Sequence, residues 1–206
     1  MKKHLLLAVL CGISFCSTAQ VSRTDSLLAD IRDSLTAPVL LPERMIFTQR
    51  ALWGYNGLMR KVLPLNLQNR QKEFRVRRTM FNIHQVAGLI TLAGYVAQGF
   101  IGAQLYKNYS DELLQKHRNM AVGINVAYGI TATMALTAPP AIVHRRGLSS
   151  AKVHRMLGML HLTSMIATNI LAQQIRKNPK LKPYHKAAAY TTFAAFTVSI
   201  LVFKFK

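Results

Sequence analysis

A chain of 206 residues with 27 Lys and Arg against 7 Asp and Glu carries a formal charge of +20, a balance that ordinarily marks a nucleic-acid-binding domain. Yet half of the chain is hydrophobic and only 17% is charged, where soluble domains average about 25%, so the cations are crowded into a minority of segments. That excludes a disordered chain or a coiled coil, argues against nucleic acid as the partner, and leaves an integral membrane protein as the leading class.

Residues 1–19 read as a signal peptide. Lys2 and Lys3 form its positive region, residues 5–15 an apolar run too short to span comfortably, and Ser17-Thr18-Ala19 a small-residue cleavage site. The mature chain is expected to start at Gln20. His4 and both cysteines, Cys11 and Cys16, leave with the leader, so no disulfide or thiolate metal site is expected. Residues 20–79 are expected to form an exported N-terminal segment. In it, Pro38 and Pro42 interrupt a loose start, and a basic amphipathic helix around Leu52, Trp53, Leu58 and Met59, weakened by Gly54 and Gly57, lies at the membrane interface. Arg75, Arg77 and Arg78 then lead into the first span, and lipid headgroup phosphates account for that cluster.

Four apolar segments follow, at residues 80–106, 120–143, 153–175 and 184–203, none with an Asp or Glu. Each is long enough to cross a bilayer as a helix. Pro139-Pro140 should kink or end the second, and the short connections make neighbours antiparallel. The expected fold is therefore an all-α integral membrane protein, with residues 80–206 as an up-down four-helix transmembrane bundle.

An internal repeat sharpens this. Shifted by 70 residues, His84-Gln-Val-Ala-Gly88 falls on His154-Arg-Met-Leu-Gly158, Ala97 on Ala167 and Gln104 on Gln174; shifted by 68, His117 falls on His185 and Ala127 on Ala195. Two repeated helical hairpins related by an approximate two-fold axis along the membrane normal follow. His84 and His154 then lie at one depth, and His117 and His185 at another. Each is followed four residues on by a small residue, Gly88, Gly158, Ala121 and Ala189, which leaves the helix surface bare one turn from each imidazole. A histidine at a membrane boundary is more often an interfacial anchor, but depth-matched pairs beside bare helix suit a flat macrocycle with an axial imidazole from each side. Neutral imidazole, the usual ligand form, is favoured by a membrane site. The four histidines are thus candidate haem-iron ligands, for one or two haem b groups on the order of 20 Å apart, since the hydrocarbon core is about 30 Å thick. His161, opposite Thr91 in the repeat, is expected to be a polar group beside a haem or in a quinone site. His144 is expected in an interfacial loop, and Met156, Met159 and Met165 are candidates to line a haem pocket.

Four histidines on four consecutive spans, spaced by 33, 37 and 31 residues, together with His154-Arg-Met-Leu-Gly158 and His84-Gln85 with Gln98 and Gly99, resemble the core of the cytochrome b561 family. The resemblance covers about residues 80–203. It implies a four-helix core in which the first and third helices hold one b-type haem and the second and fourth the other, passing electrons across a membrane. Family members commonly carry six spans; here the outer two are absent. The expected partners are membrane lipids, a quinol or redox protein as donor, and a second copy in a homo-oligomer, in a bacterial inner membrane. The leader places residues 20–79 in the periplasm, although more Lys and Arg flank the spans on that face than on the other, which the positive-inside rule reads the opposite way. A haem-free membrane scaffold or anchor subunit of a larger complex is the alternative function.

Overall fold

The computed structural model describes residues 39–142 and 149–204. The leader, the segment 20–38 and His144 lie outside the described residues. Within them all regular structure is helical: α1 (Phe47–Trp53), a 3-10 turn (Leu58–Lys61), α2 (Leu67–Lys107), α3 (Asp111–Thr137), α4 (Ser150–Gln174), a second 3-10 turn (Pro179–Leu181) and α5 (Lys182–Lys204).

Local chemistry explains where these helices start and stop. Asn66, Ser110 and Ser149 cap α2, α3 and α4, each side chain accepting from the backbone N–H three residues on. Asp111 and Glu112 add negative charge to the first turn of α3, where the helix dipole favours it. No proline or glycine falls between Leu67 and Ala87, so the basic lead-in and the first expected span merge into one helix of 41 residues, about 60 Å long. Pro139-Pro140 ends α3 rather than kinking it: the helix stops at Thr137, short of the expected boundary at 143, because a residue before proline is pushed out of the helical region.

Helix α2 lies antiparallel on α3 and α4 on α5, giving the two expected hairpins. Their backbones are close within each hairpin and, along the α2–α5 seam, between them. Elsewhere the hairpins meet through side chains. The core is a cluster of Ile124, Tyr128, Met165 and Phe196, while Val86, Leu89, Ile90, Phe100, Val122, Val126, Ile166 and Ile170 are exposed on the outside. Of the four expected spans, α2 and α3 are long and apolar enough to cross a membrane by length and composition.

Residues 41–79 pack onto this helical core. Ending α3 before two prolines leaves its last carbonyls without helical donors. The N-terminal segment supplies them. Thr48 Oγ1 donates to Leu136 O (2.6 Å), Trp53 Nε1 to Thr137 O (2.8 Å) and Gln49 Nε2 to Ala138 O (3.1 Å). Arg77 donates to Pro139 O, and Arg70 Nη2 to Pro140 O at 3.0 Å. Fully buried Glu73 holds both Arg60 and Arg70. Trp53, 5% exposed, is therefore an internal cap, and Arg77 serves a carbonyl; Arg75 and Arg78 remain exposed. The bend that brings α1 back needs Gly57, where a Cβ would lie 2.5 Å from Leu52 O.

Removing the charge from Glu73 while keeping its shape should strand two buried guanidiniums. Glu73→Gln is expected to cost about 3–5 kcal/mol and Trp53→Phe about 1 kcal/mol, read as shifts in the denaturation midpoint in micelles. Arg75→Gln, on an exposed position, should stay within about 0.5 kcal/mol.

Candidate functional site

The antiparallel stagger brings the histidines together in the expected pairs. His84 on α2 and His154 on α4 have ring centroids 6.1 Å apart, and His117 on α3 and His185 on α5 have theirs 6.4 Å apart. Both pairs reach across between the hairpins. In each, the ring planes are steeply inclined, at 76° and 71°.

Hydrogen bonds within the hairpins orient the rings. His84 Nδ1 contacts Thr131 O at 2.8 Å, His154 Nδ1 contacts Ser199 O at 2.9 Å, and His185 Nδ1 contacts Thr168 O at 3.0 Å. A carbonyl only accepts, so Nδ1 carries the hydrogen in all three, which in the neutral imidazole leaves the lone pair on Nε2. The repeat extends to these acceptors: Thr131 and Ser199 are related by the same 68-residue shift as the helices that bear them.

His117 departs from the pattern. Gln98 stands where the 70-residue shift puts Thr168, and its amide Nε2 donates to His117 Nε2 (3.2 Å) and His117 O (3.0 Å). His117 Nδ1 and Gln98 Oε1 are left buried without a hydrogen-bond partner, a costly arrangement in apolar surroundings. Gly102 makes room for this ring, since a Cβ there would lie 3.1 Å from His117 Cε1.

The small residues one turn on behave as the spacing implied. A Cβ added at Gly88 would meet only Thr131 Cγ2, at 3.8 Å, and one at Gly158 only His161 Nε2, at 3.9 Å. Ala121 lines a cleft of about 470 Å³ between α3 and α4, and Ala189 is half-buried on α5.

One layer escaped the sequence reading. Tyr95, Tyr128, Met165 and Phe196 each stand eleven residues after one of the four paired histidines, about three helical turns, so each lies on its histidine's face. They meet between the two pairs: Tyr95 and Phe196 rings are 5.3 Å apart, Tyr128 and Phe196 rings 6.0 Å, and Tyr95 Oη lies 3.4 Å from Met165 Sδ. His161 joins this layer, its Nδ1 2.8 Å from Tyr128 Oη and its ring 5.0 Å from Phe196. The constant spacing of eleven was the available signal. Of the three methionines singled out, Met165 is in the core; Met156 and Met159, 61% and 58% exposed, face outward.

The fold and site define an all-helical protein, two of whose helices are long and apolar enough to cross a membrane, with two cross-hairpin histidine pairs. Compared with known protein families, curated proteins and solved structures, the chain matches none.

The tautomers are directly measurable. In ¹⁵N spectra of histidine-labelled protein at neutral pH, His84, His154 and His185 should show the Nδ1–H, Nε2-unprotonated pattern, with His117 distinct from them. An Nε2–H tautomer at His84 or His154 would contradict the orientation described.

Proposed function

We propose that the chain is a b-type cytochrome of the bacterial inner membrane, a four-span relative in kind of the cytochrome b561 family, that passes electrons across the bilayer from a quinol or redox-protein donor. The observation that carries this reading is the geometry of the two histidine pairs. Imidazoles sharing one metal ion at a typical metal–nitrogen distance of about 2.0–2.1 Å have ring centroids about 6 Å apart, and both pairs stand at 6.1–6.4 Å. Carbonyl acceptors on Nδ1 supply what orients ligating histidines elsewhere.

His84 and His154 would hold one haem and His117 and His185 the other, with Gly88, Gly158, Ala121 and Ala189 leaving room for the macrocycle. Bound haem supplies the one-electron chemistry. The chain's own residues position it: the rings of His84, His154 and His185 are held by backbone carbonyls, and Gln98 must yield His117 Nε2. Since His84 is level with Thr131 and His117 lies fourteen residues before it, the two pairs are about 21 Å apart along the helices, a separation suited to one site near each membrane face. The layer of Tyr95, Tyr128, Met165 and Phe196 fills the interval and excludes water from it.

One feature supports the alternative of a haem-free anchor subunit. The imidazole–carbonyl bonds, and the Gln98–His117 contact above all, staple the helices without any cofactor.

A reduced-minus-oxidised spectrum of the purified protein with haem-to-protein stoichiometry separates the two readings. Two haems per chain are expected, falling to one in His154→Ala and to one in His117→Ala, with helical content retained. Gly158→Leu should likewise deplete the His84/His154 site. A fully helical preparation without haem bands would overturn the cytochrome reading.

A further inference from the structure

The two hairpins are copies, yet they treat their two mutual seams differently, and the difference builds a site. At the α2–α5 seam the backbones approach closely, and Lys186 Nζ sits over the rings of Tyr106 (4.6 Å) and Tyr190 (5.8 Å), closing the outside with cation–π contacts. The symmetry-related α3–α4 seam stays open as a cleft of about 470 Å³. The substitutions responsible can be read through the repeat: Arg176 stands in place of Tyr106, Arg118 in place of Lys186, and Asn125 and Asn169 in place of Phe193 and Gly99.

Those four residues form two matched walls. Asn125 and Asn169 exchange amide hydrogen bonds at 3.1 and 2.9 Å, closing the inner end. Arg118 and Arg176 each lie seven residues from their asparagine, towards the same end of the antiparallel pair, so both guanidiniums flank the mouth about 10 Å further out. Neither is in a salt bridge among the described residues, and nearby Glu112 is taken by Lys116. Val122, 65% exposed, gives the cleft an apolar outward wall.

Two guanidiniums above an apolar wall are complementary to an oxyanion on an apolar tail. Resting on the reading that these helices lie in a membrane, we propose that the Arg118–Arg176 cleft binds the phosphate of an anionic phospholipid, seated between the hairpins on one membrane face. The occupant comes from the bilayer because the cleft opens on the outer apolar surface of the helices.

The test is native mass spectrometry of the full chain released from mild detergent, with phosphatidylglycerol, phosphatidylcholine or inorganic phosphate added separately. Wild-type protein should retain one phosphatidylglycerol, and the R118Q/R176Q variant should bind it about 10- to 30-fold more weakly with unchanged helical content. R75Q/R78Q, altering exposed arginines of α2, should bind as wild type. Equal retention of phosphatidylcholine, saturation by inorganic phosphate alone, or unchanged phosphatidylglycerol binding in R118Q/R176Q each overturns the proposal. So does a loss of haem bands in that variant with lipid still bound, which would assign the arginines to haem carboxylates. A preparation that lacks haem yet retains one phosphatidylglycerol ends the cytochrome reading and leaves this site standing.

Discussion

An imidazole N–H in apolar surroundings needs an acceptor, and in this protein the acceptor is a carbonyl on the neighbouring helix. Leaving such a donor unpaired costs several kcal/mol in hydrocarbon, so the bond from Nδ1 to Thr131, Ser199 or Thr168 sets how far one helix of a hairpin can slide along the other. His154 and His185 pin the α4–α5 hairpin at two levels, fourteen residues apart on each helix. His84 pins α2 on α3 at the corresponding level, and Gln98 meets His117 at the other. With the stagger of each hairpin fixed, the rings can only face their counterparts across the gap. The histidine pairs are thus a product of register within the hairpins; close backbone packing between them is needed at one seam only.

A second constraint operates at the end of α3. Helix C-termini carry partial negative charge and unsatisfied carbonyls, and two prolines directly after α3 forbid the usual ways of meeting them. Donors arrive from residues 48–77 instead, with Glu73 neutralising the two arginines that cannot face solvent. This makes α1 and the first turns of α2 part of the structural unit that begins at Leu41. It also accounts for part of the charge placed before the first span: Arg60, Arg70 and Arg77 are internal donors whose positions are set by the carbonyls they serve.

What could be read in the sequence, and what could not, follows from the range of each interaction. Helix starts are local, and Asn66, Ser110 and Ser149 are recognisable caps. The repeat made non-local geometry legible, because two copies of one hairpin must place His84 with His154 and His117 with His185. The cap on α3 was hidden for the opposite reason: Trp53 and Thr137 are 84 residues apart, in no repeat, and a Trp beside glycines looks equally like an interfacial anchor. The central layer was hidden by composition. Tyr95, Tyr128, Met165 and Phe196 differ in chemistry, so only their shared distance from the histidines marks them as equivalent. Met165 alone of the three methionines singled out reaches the core, while Met156 and Met159 lie on the exposed side of α4.

A duplicated hairpin also separates what packing demands from what a ligand demands. Positions retained in both copies, the histidines and the small residue one turn beyond, are those any two-fold arrangement of these helices must keep if both levels are to hold the same kind of group. Positions that diverged cannot be explained by the shared fold, since the other copy shows the fold forming without them. Thr168 orients its histidine through a backbone carbonyl alone, whereas Gln98 adds a side chain that competes for Nε2, so the His117 side of that pair is held less simply than the other three. Arg176 against Tyr106 follows the same logic at the surface: tyrosine lets Lys186 close one seam, and with arginine in its place the other seam is a cleft lined by Arg118 and Arg176. The open seam is therefore a departure made on top of a working scaffold, and an anion is the occupant whose charge suits the two guanidiniums that line it.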